Sequence, residues 1–201
     1  DRGLVGSEMC IRDRQHTALR ADIEELSSRH WSITDAEPLW RAVITAQPAD
    51  AEAISIIEGL ARSRDDASDI AEMIRLKLPL TPESKRQALW VERGRLLASL
   101  MGREHEALEA LYETGELIIR DRELQSMVSS LLRQTEQFEA LGAHLNTALQ
   151  HADTAAETAH LRRANADVLW RGLSQRGPAI SLLAECLEAD LHDRKALEML
   201  E

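Results

Sequence analysis

Three patterns in this 201-residue chain could carry chemistry, and each falls short of it. His105-Glu106-Ala107-Leu108-Glu109 approaches the HExxH helix, which offers zinc two histidines one turn apart. Glu109 stands where the second histidine is needed, so the string reads as a charged, solvated helix start. His144 and His151 lie on one predicted helix but too far apart to share a metal without further ligands between them, and read as single solvated histidines. Cys186 occupies a small-residue slot on the apolar face of a predicted helix, where a thiol packs and does not attack. Glycines fall singly, so no phosphate-cradling loop forms, and no G-x-S-x-G turn exposes a serine. No catalytic residue, metal ligand or cofactor-binding residue is assigned, and no cofactor is expected.

The elements that carry these residues are helices throughout. Leu19, Ile23 and Leu26 fall at helical spacing, as do Ile54, Ile57 and Leu60, then Ile70, Met73 and Leu76. Leu124, Val128 and Leu131 repeat the pattern, and Asp121 stands ready to cap that helix. Further N-terminal signals are Thr34 or Asp35 before Pro38, Asp50, Asp65 or Asp66, Thr81-Pro82, and Asp153 or Thr154. Arg103–Leu117 reads as one helix, Phe138–Gln150 as another, and a break at Leu191-His192 separates the last two. About eleven helices with short connections make an all-α chain of antiparallel neighbours.

A triad recurs along this order. Ala36, Trp40 and Val43 return as Ala107, Leu111 and Thr114, and again at nearly equal spacing as Ala179, Leu183 and Cys186. Leu141, Leu145 and Ala148 give a weaker fourth instance. Four helices in about 72 residues is two hairpins of about 36, near the length of a helix-turn-helix repeat. Small residues are needed where two helices cross closely, and a bulky residue then fills the gap to the next hairpin. Gly94 and Ala166 could supply the small residue of a first helix. Trp40 belongs to the core on this pattern, whereas Trp90 and Trp170 are more open; Trp31 completes the four tryptophans.

On these residues the chain resembles the tetratricopeptide-repeat (TPR) family, which uses a small, a bulky and a small residue at this spacing in the second helix and proline at the exit. Ala36, Trp40, Val43 and Pro48 follow that spacing, with Val43 in place of the second small residue; Ile119 and Leu191 stand where later prolines are expected. The resemblance covers most of residues 15–201 and is diffuse; a HEAT-like array would share the apolar period. It implies an α-solenoid of antiparallel hairpins, a TPR-like superhelix, that binds protein or peptide along a groove lined by first helices. Projected onto the sequence, that groove takes in Val91, Arg95, Arg133, Arg163, Asp167, Trp170 and Arg171. Arg95, Arg133, Arg163 and Trp170 are the candidate partner-binding residues, arginine beside an aromatic suiting an acidic or extended peptide. The family's clamp for peptide C-termini is not reproduced.

Residues 4–14, LVGSEMCIRDR, resemble the translation of a sequencing-library adapter, whose frame gives Glu-Met-Cys-Ile-Arg-Asp. Residues 1–14 are therefore expected to be an adapter-derived segment and residues 15–201 a piece of a longer repeat array. Cys10 goes with that segment, which leaves Cys186 alone and excludes an intrachain disulfide. A net charge of −11 argues against a general nucleic-acid binder, which concentrates Lys and Arg on one face. No apolar run approaches the ~20 residues that span a bilayer, and no signal-peptide h-region is present. A cytoplasmic, non-catalytic interaction scaffold is the expectation; a structural assembly role, or a regulatory sensor module of a larger protein, is the alternative.

Overall fold

The computed structural model describes residues 13–25 and 32–200, so Leu26, the expected helix end at Arg29-His30, Trp31 and most of the adapter-like segment lie outside the described residues. Every regular element among the described residues is helical, and eleven α-helices have at least seven residues. The chain divides into two compact units, residues 1–100 and 101–201.

The first unit holds α1 (13–25), α2 (Glu37–Ala46), α3 (Ala51–Ser63), α4 (Ala67–Lys77) and α5 (Glu83–Ala98), with a 3-10 turn at Leu78–Leu80. Helices pack on their successors: α2 on α3, α3 on α4, α4 on α5. Ile23, Ala36, Trp40 and Val43 form one core cluster with Ala53, Ile54, Ile57 and Met73. Ala61, Ile70, Ile74 and Leu78 form a second, against which Leu89, Trp90 and Leu96 pack. Caps follow the expected chemistry at α3 and α4, where Asp50 accepts from the Ala53 N–H at 2.9 Å and Asp66 from the Asp69 N–H at 3.1 Å. At α2 the cap is Ala36, because the Asp35 carboxylate turns back to the Ser32 hydroxyl at 2.6 Å. Thr81 is no cap either: its hydroxyl donates to the Lys77 carbonyl at 2.9 Å, and α5 opens at Glu83 behind Pro82.

The second unit runs α6 (Glu104–Tyr112), α7 (Leu117–Arg120), α8 (Arg122–Gln134), α9 (Phe138–Gln150), α10 (Ala155–Asp167), α11 (Arg176–Ala189) and α12 (Arg194–Leu200). Here α8 packs on α9, α9 on α10, α10 on α11 and α11 on α12, and α10 also meets α12. The expected helix over Arg103–Leu117 is interrupted at Gly115, whose φ of +63° belongs to the left-handed region that a side chain disfavours. The chain then makes the single turn α7 before Asp121 caps α8 through the Glu123 and Leu124 N–H groups. Beyond Asp167, α10 continues as one wider, π-type turn, Val168–Gly172.

The triads are buried as the repeat requires. Ala107, Leu111, Ala179, Leu183 and Leu141 are fully excluded from solvent, and Cys186, Ala148, Thr114 and Leu145 nearly so. Ala166 meets Ala179, Leu183, Cys186 and Ala196 in one cluster, the close crossing that small residues permit. In place of a small-bulky-small triad, Ile70 and Ile74 of α4 and Leu78 of the turn after it fill this position, and so escape the sequence pattern. First helices start at Ala51, Glu83, Arg122, Ala155 and Arg194. The step from one start to the next is alternately short and long, on either side of the ordinary hairpin length of about 36 residues. Two successive steps together make about 72 residues, the spacing at which the triad recurs.

Candidate functional site

The first helices of the second unit, α8, α10 and α12, share a face built from their non-core sides. On α8, Leu124, Val128, Leu131 and Leu132 go inward, which leaves Arg122, Ser126, Ser129 and Arg133 as the opposite stripe. On α10, Leu161, Asn165 and Ala166 are buried, which sets His160, Arg163, Ala164 and Asp167 along the open side. Two adjoining concavities result. One, of about 530 Å³, lies between α8 and α10 over the floor of Leu141, Leu145 and Leu161. The other, of about 590 Å³, lies between α10 and α12, where Lys195, Glu198 and Met199 complete the wall. His160 and Ala164 line both.

Charge on this face is segregated from the rest of the unit. Residues 101–201 contain ten Lys and Arg against eighteen Asp and Glu. Five of the ten cations (Arg122, Arg133, Arg163, Arg171, Lys195) line the two concavities, with only three of the eighteen acids (Glu157, Asp167, Glu198). A unit that is acidic as a whole therefore presents a cationic face. Low-dielectric walls concentrate such a field.

The arginines are held in place by ion pairs between successive first helices. Arg122 forks onto Glu157 at 2.8 and 3.2 Å. Arg133 reaches Asp167 at 2.8 Å while Arg171 approaches the other oxygen of the same carboxylate at 3.1 Å. Arg163 is paired with Asp193, its side chain 17% exposed and that of Asp193 9%. Lys195 has no ion-pair partner among the described residues.

Of the residues projected from the sequence, the structure brings Arg133, Arg163, Asp167 and Arg171 together on this face. Trp170 is not among them. Its ring packs against the Ala166–Leu183 cluster, with the Arg176 guanidinium 5.7 Å from its centroid. Val91 and Arg95 line a separate concavity of about 430 Å³ in the first unit with Ala88, Glu92 and Leu96. Sequence reasoning missed Arg122, His160 and Lys195. Arg122, Ser126, Ser129 and Arg133 carried a usable signal, a polar stripe at helical spacing opposite the leucines.

The histidine reading needs one correction. His151 is exposed at the end of α9, but His144 is buried, 6% exposed, with its Nε2 3.4 Å from the Gln125 carbonyl of α8. Burial pushes its pKa down, against a smaller upward pull from that carbonyl. Helical spacing placed His144 one turn before Ala148 on the packed face, and the neighbouring helix desolvates it. His105 is exposed beside buried Ala107 and Leu108, and no group of three His, Cys, Asp or Glu among the described residues could hold a metal ion. Cys186 is buried as expected, its thiol pKa raised by desolvation. No described helix is long and apolar enough to cross a membrane.

Comparison with protein-family models and with curated protein sequences finds no match. Solved structures do resemble the chain. YrrB, described as a TPR protein with an unusual peptide-binding site, aligns over 88% of this chain and 87% of its own at 15% identity, with a TM-score of 0.48. The MamA protein aligns over 94% and 96% at 12% identity and a TM-score of 0.47. TTC0263, a thermophilic TPR protein of Thermus thermophilus, aligns over 93% and 100% at 18% identity and 0.39. The structural neighbours include TPR proteins at low identity.

Proposed function

We propose that the chain is a non-catalytic protein-interaction module that takes an extended acidic peptide on the α8–α10–α12 face of its second unit. The observation that carries this reading is the charge segregation: half of the unit's cations and a sixth of its acids line two adjoining concavities. An extended chain crossing both would meet Arg122 and Arg133 first, then Arg171 and Lys195. Its carboxylates would meet these cations while its backbone lies over the polar stripe of Ser126 and Ser129. Arg163 serves such a ligand by fixing α12 against α10, and Trp170 by packing the far side of α10. Arg95 belongs to a second, smaller contact on the first unit.

Fluorescence polarisation with a fluorescein-labelled deca-glutamate peptide tests the reading, with labelled deca-lysine as the counter-probe. The deca-glutamate probe binds, the deca-lysine probe does not, and Arg133→Glu with Arg171→Glu weakens binding about tenfold or more. Equal binding of the wild type and the doubly reversed variant sinks it.

A further inference from the structure

Asp167 stands at the centre of the cationic face with both carboxylate oxygens engaged: Oδ2 accepts from Arg133 Nη1 at 2.8 Å, and Oδ1 faces Arg171 Nε at 3.1 Å. The two guanidiniums come from different elements, α8 and the π-type turn after α10, and meet only through this carboxylate. The arginines themselves are largely solvent-facing, 52% and 79% exposed, so a second anion can approach them without unpacking the core.

We infer that Asp167 is a resident competitor for the Arg133–Arg171 pair and sets how acidic a partner must be to dock there. The inference rests on the acidic-peptide reading above and specifies one residue within it. A ligand carboxylate that reaches Arg133 or Arg171 must displace an anion already in place. Apparent affinity is then reduced by the fraction of molecules in which the pair is engaged. A weakly acidic segment cannot compete, whereas a run of carboxylates can, because several contacts share the cost. Removing the competitor frees two cations at once, which neutralising another acid on the face does not.

The control is built into the same concavity. Glu198 also lines it, but its carboxylate pairs with Arg194, which lines neither concavity. Asp167→Asn and Glu198→Gln thus remove the same charge from the same concavity, and only the first releases Arg133 and Arg171. With labelled deca-glutamate, Asp167→Asn binds about three- to tenfold tighter than wild type, and Glu198→Gln changes affinity less than about twofold. Asp167→Ser gives the same gain and guards against a folding defect particular to asparagine. Arg171→Gln costs more affinity in the Asp167→Asn background than in wild type. If wild type binds and both Asp167 variants bind no tighter, the competitor role is overturned and the acidic-peptide reading stands. Equal gains from Asp167→Asn and Glu198→Gln also overturn it, leaving net charge as the cause. If neither wild type nor Asp167→Asn binds, both the inference and the reading fall.

Discussion

Arg163 donates to the carboxylate of Asp193, and that carboxylate also accepts the Ala196 N–H that opens α12. Arg20 and Asp50 repeat the relation at the same separation along the chain: Arg20 Nη2 meets both Asp50 oxygens at 2.6 and 2.5 Å, and Asp50 caps α3. In each case an arginine ties down the N-cap of the second helix after its own, α1 to α3 and α10 to α12. His16 adds a further contact to Asp50 at 2.8 Å. Loss of either aspartate removes a cap and an arginine contact; Arg163 loses its carboxylate, whereas Arg20 keeps Glu52 at 2.5 Å. Asp50→Ala and Asp193→Ala are each expected to cost about 1–3 kcal/mol in chemical denaturation. An unchanged unfolding midpoint would reduce the clasp to a surface contact.

The first clasp has a pH signature. Burial pushes the Asp50 carboxyl up, but the Ala53 N–H, His16 and Arg20 together outweigh it and hold the pKa at about 2. A carboxylate depressed in the folded state stabilises fully above its unfolded value near 3.8 and loses that contribution as pH falls through about 2. Thermal unfolding followed between about pH 5 and pH 2 should therefore fall more steeply in wild type than in Asp50→Asn. Parallel curves would contradict the assignment.

Below neutrality the second unit answers to His144. Its depressed folded pKa means that the unfolded chain binds the proton first, from about pH 6.5 downward. Stability is complete above that value and declines as pH falls toward the folded pKa. His144→Leu leaves the Gln125 carbonyl with the Ser129 hydroxyl, which donates to it at 2.8 Å. The substitution should flatten the loss between about pH 7 and pH 5. A slope identical to wild type would place the titrating group elsewhere.

Gly172 and Gly142 should respond in opposite directions to alanine. A Cβ on Gly172 would fall 2.6 Å from two ring atoms of Phe138, too close for a ring base that cannot swing away. On Gly142 it would meet Asn165 Oδ1 at 3.7 Å and Val168 Cγ1 at 4.0 Å, ordinary contact. Gly172→Ala is expected to cost about 1–3 kcal/mol and Gly142→Ala to gain up to about 1 kcal/mol, read by denaturant midpoint. Gly172→Ala combined with Phe138→Leu should recover part of the loss.

Ala107→Trp and Ala179→Trp should each overfill a fully buried helix crossing, at about 1–3 kcal/mol or more by the same measurement. Wild-type unfolding in either would mean that the repeat runs in a different register.

The triads were legible because a close crossing restricts the residue itself: only something small fits at Ala107 or Ala179, whatever lies around it. Caps such as Asp121 and Asp50 were legible because their bonds run to N–H groups two or three residues on. What escaped depends on distant neighbours. His144 shares the face of Leu141 and Ala148 on its own helix, but only the packing of α8, a separate helix upstream, desolvates it. Trp170 is turned to the core of α10 and α11 by a wide turn that a regular helical period does not anticipate. Asp167 was visible as a face residue, but its two arginines converge only once α8 lies beside α10.

The alternation of short and long hairpin steps bears on how such an array can change length. Deleting or duplicating one hairpin would splice a short step onto a short one, or a long onto a long, and break the alternation. A block made of one short and one long hairpin restores the order at both joints. The hairpin is thus the packing unit, while the pair of hairpins is the unit in which the chain can be shortened or extended without a seam.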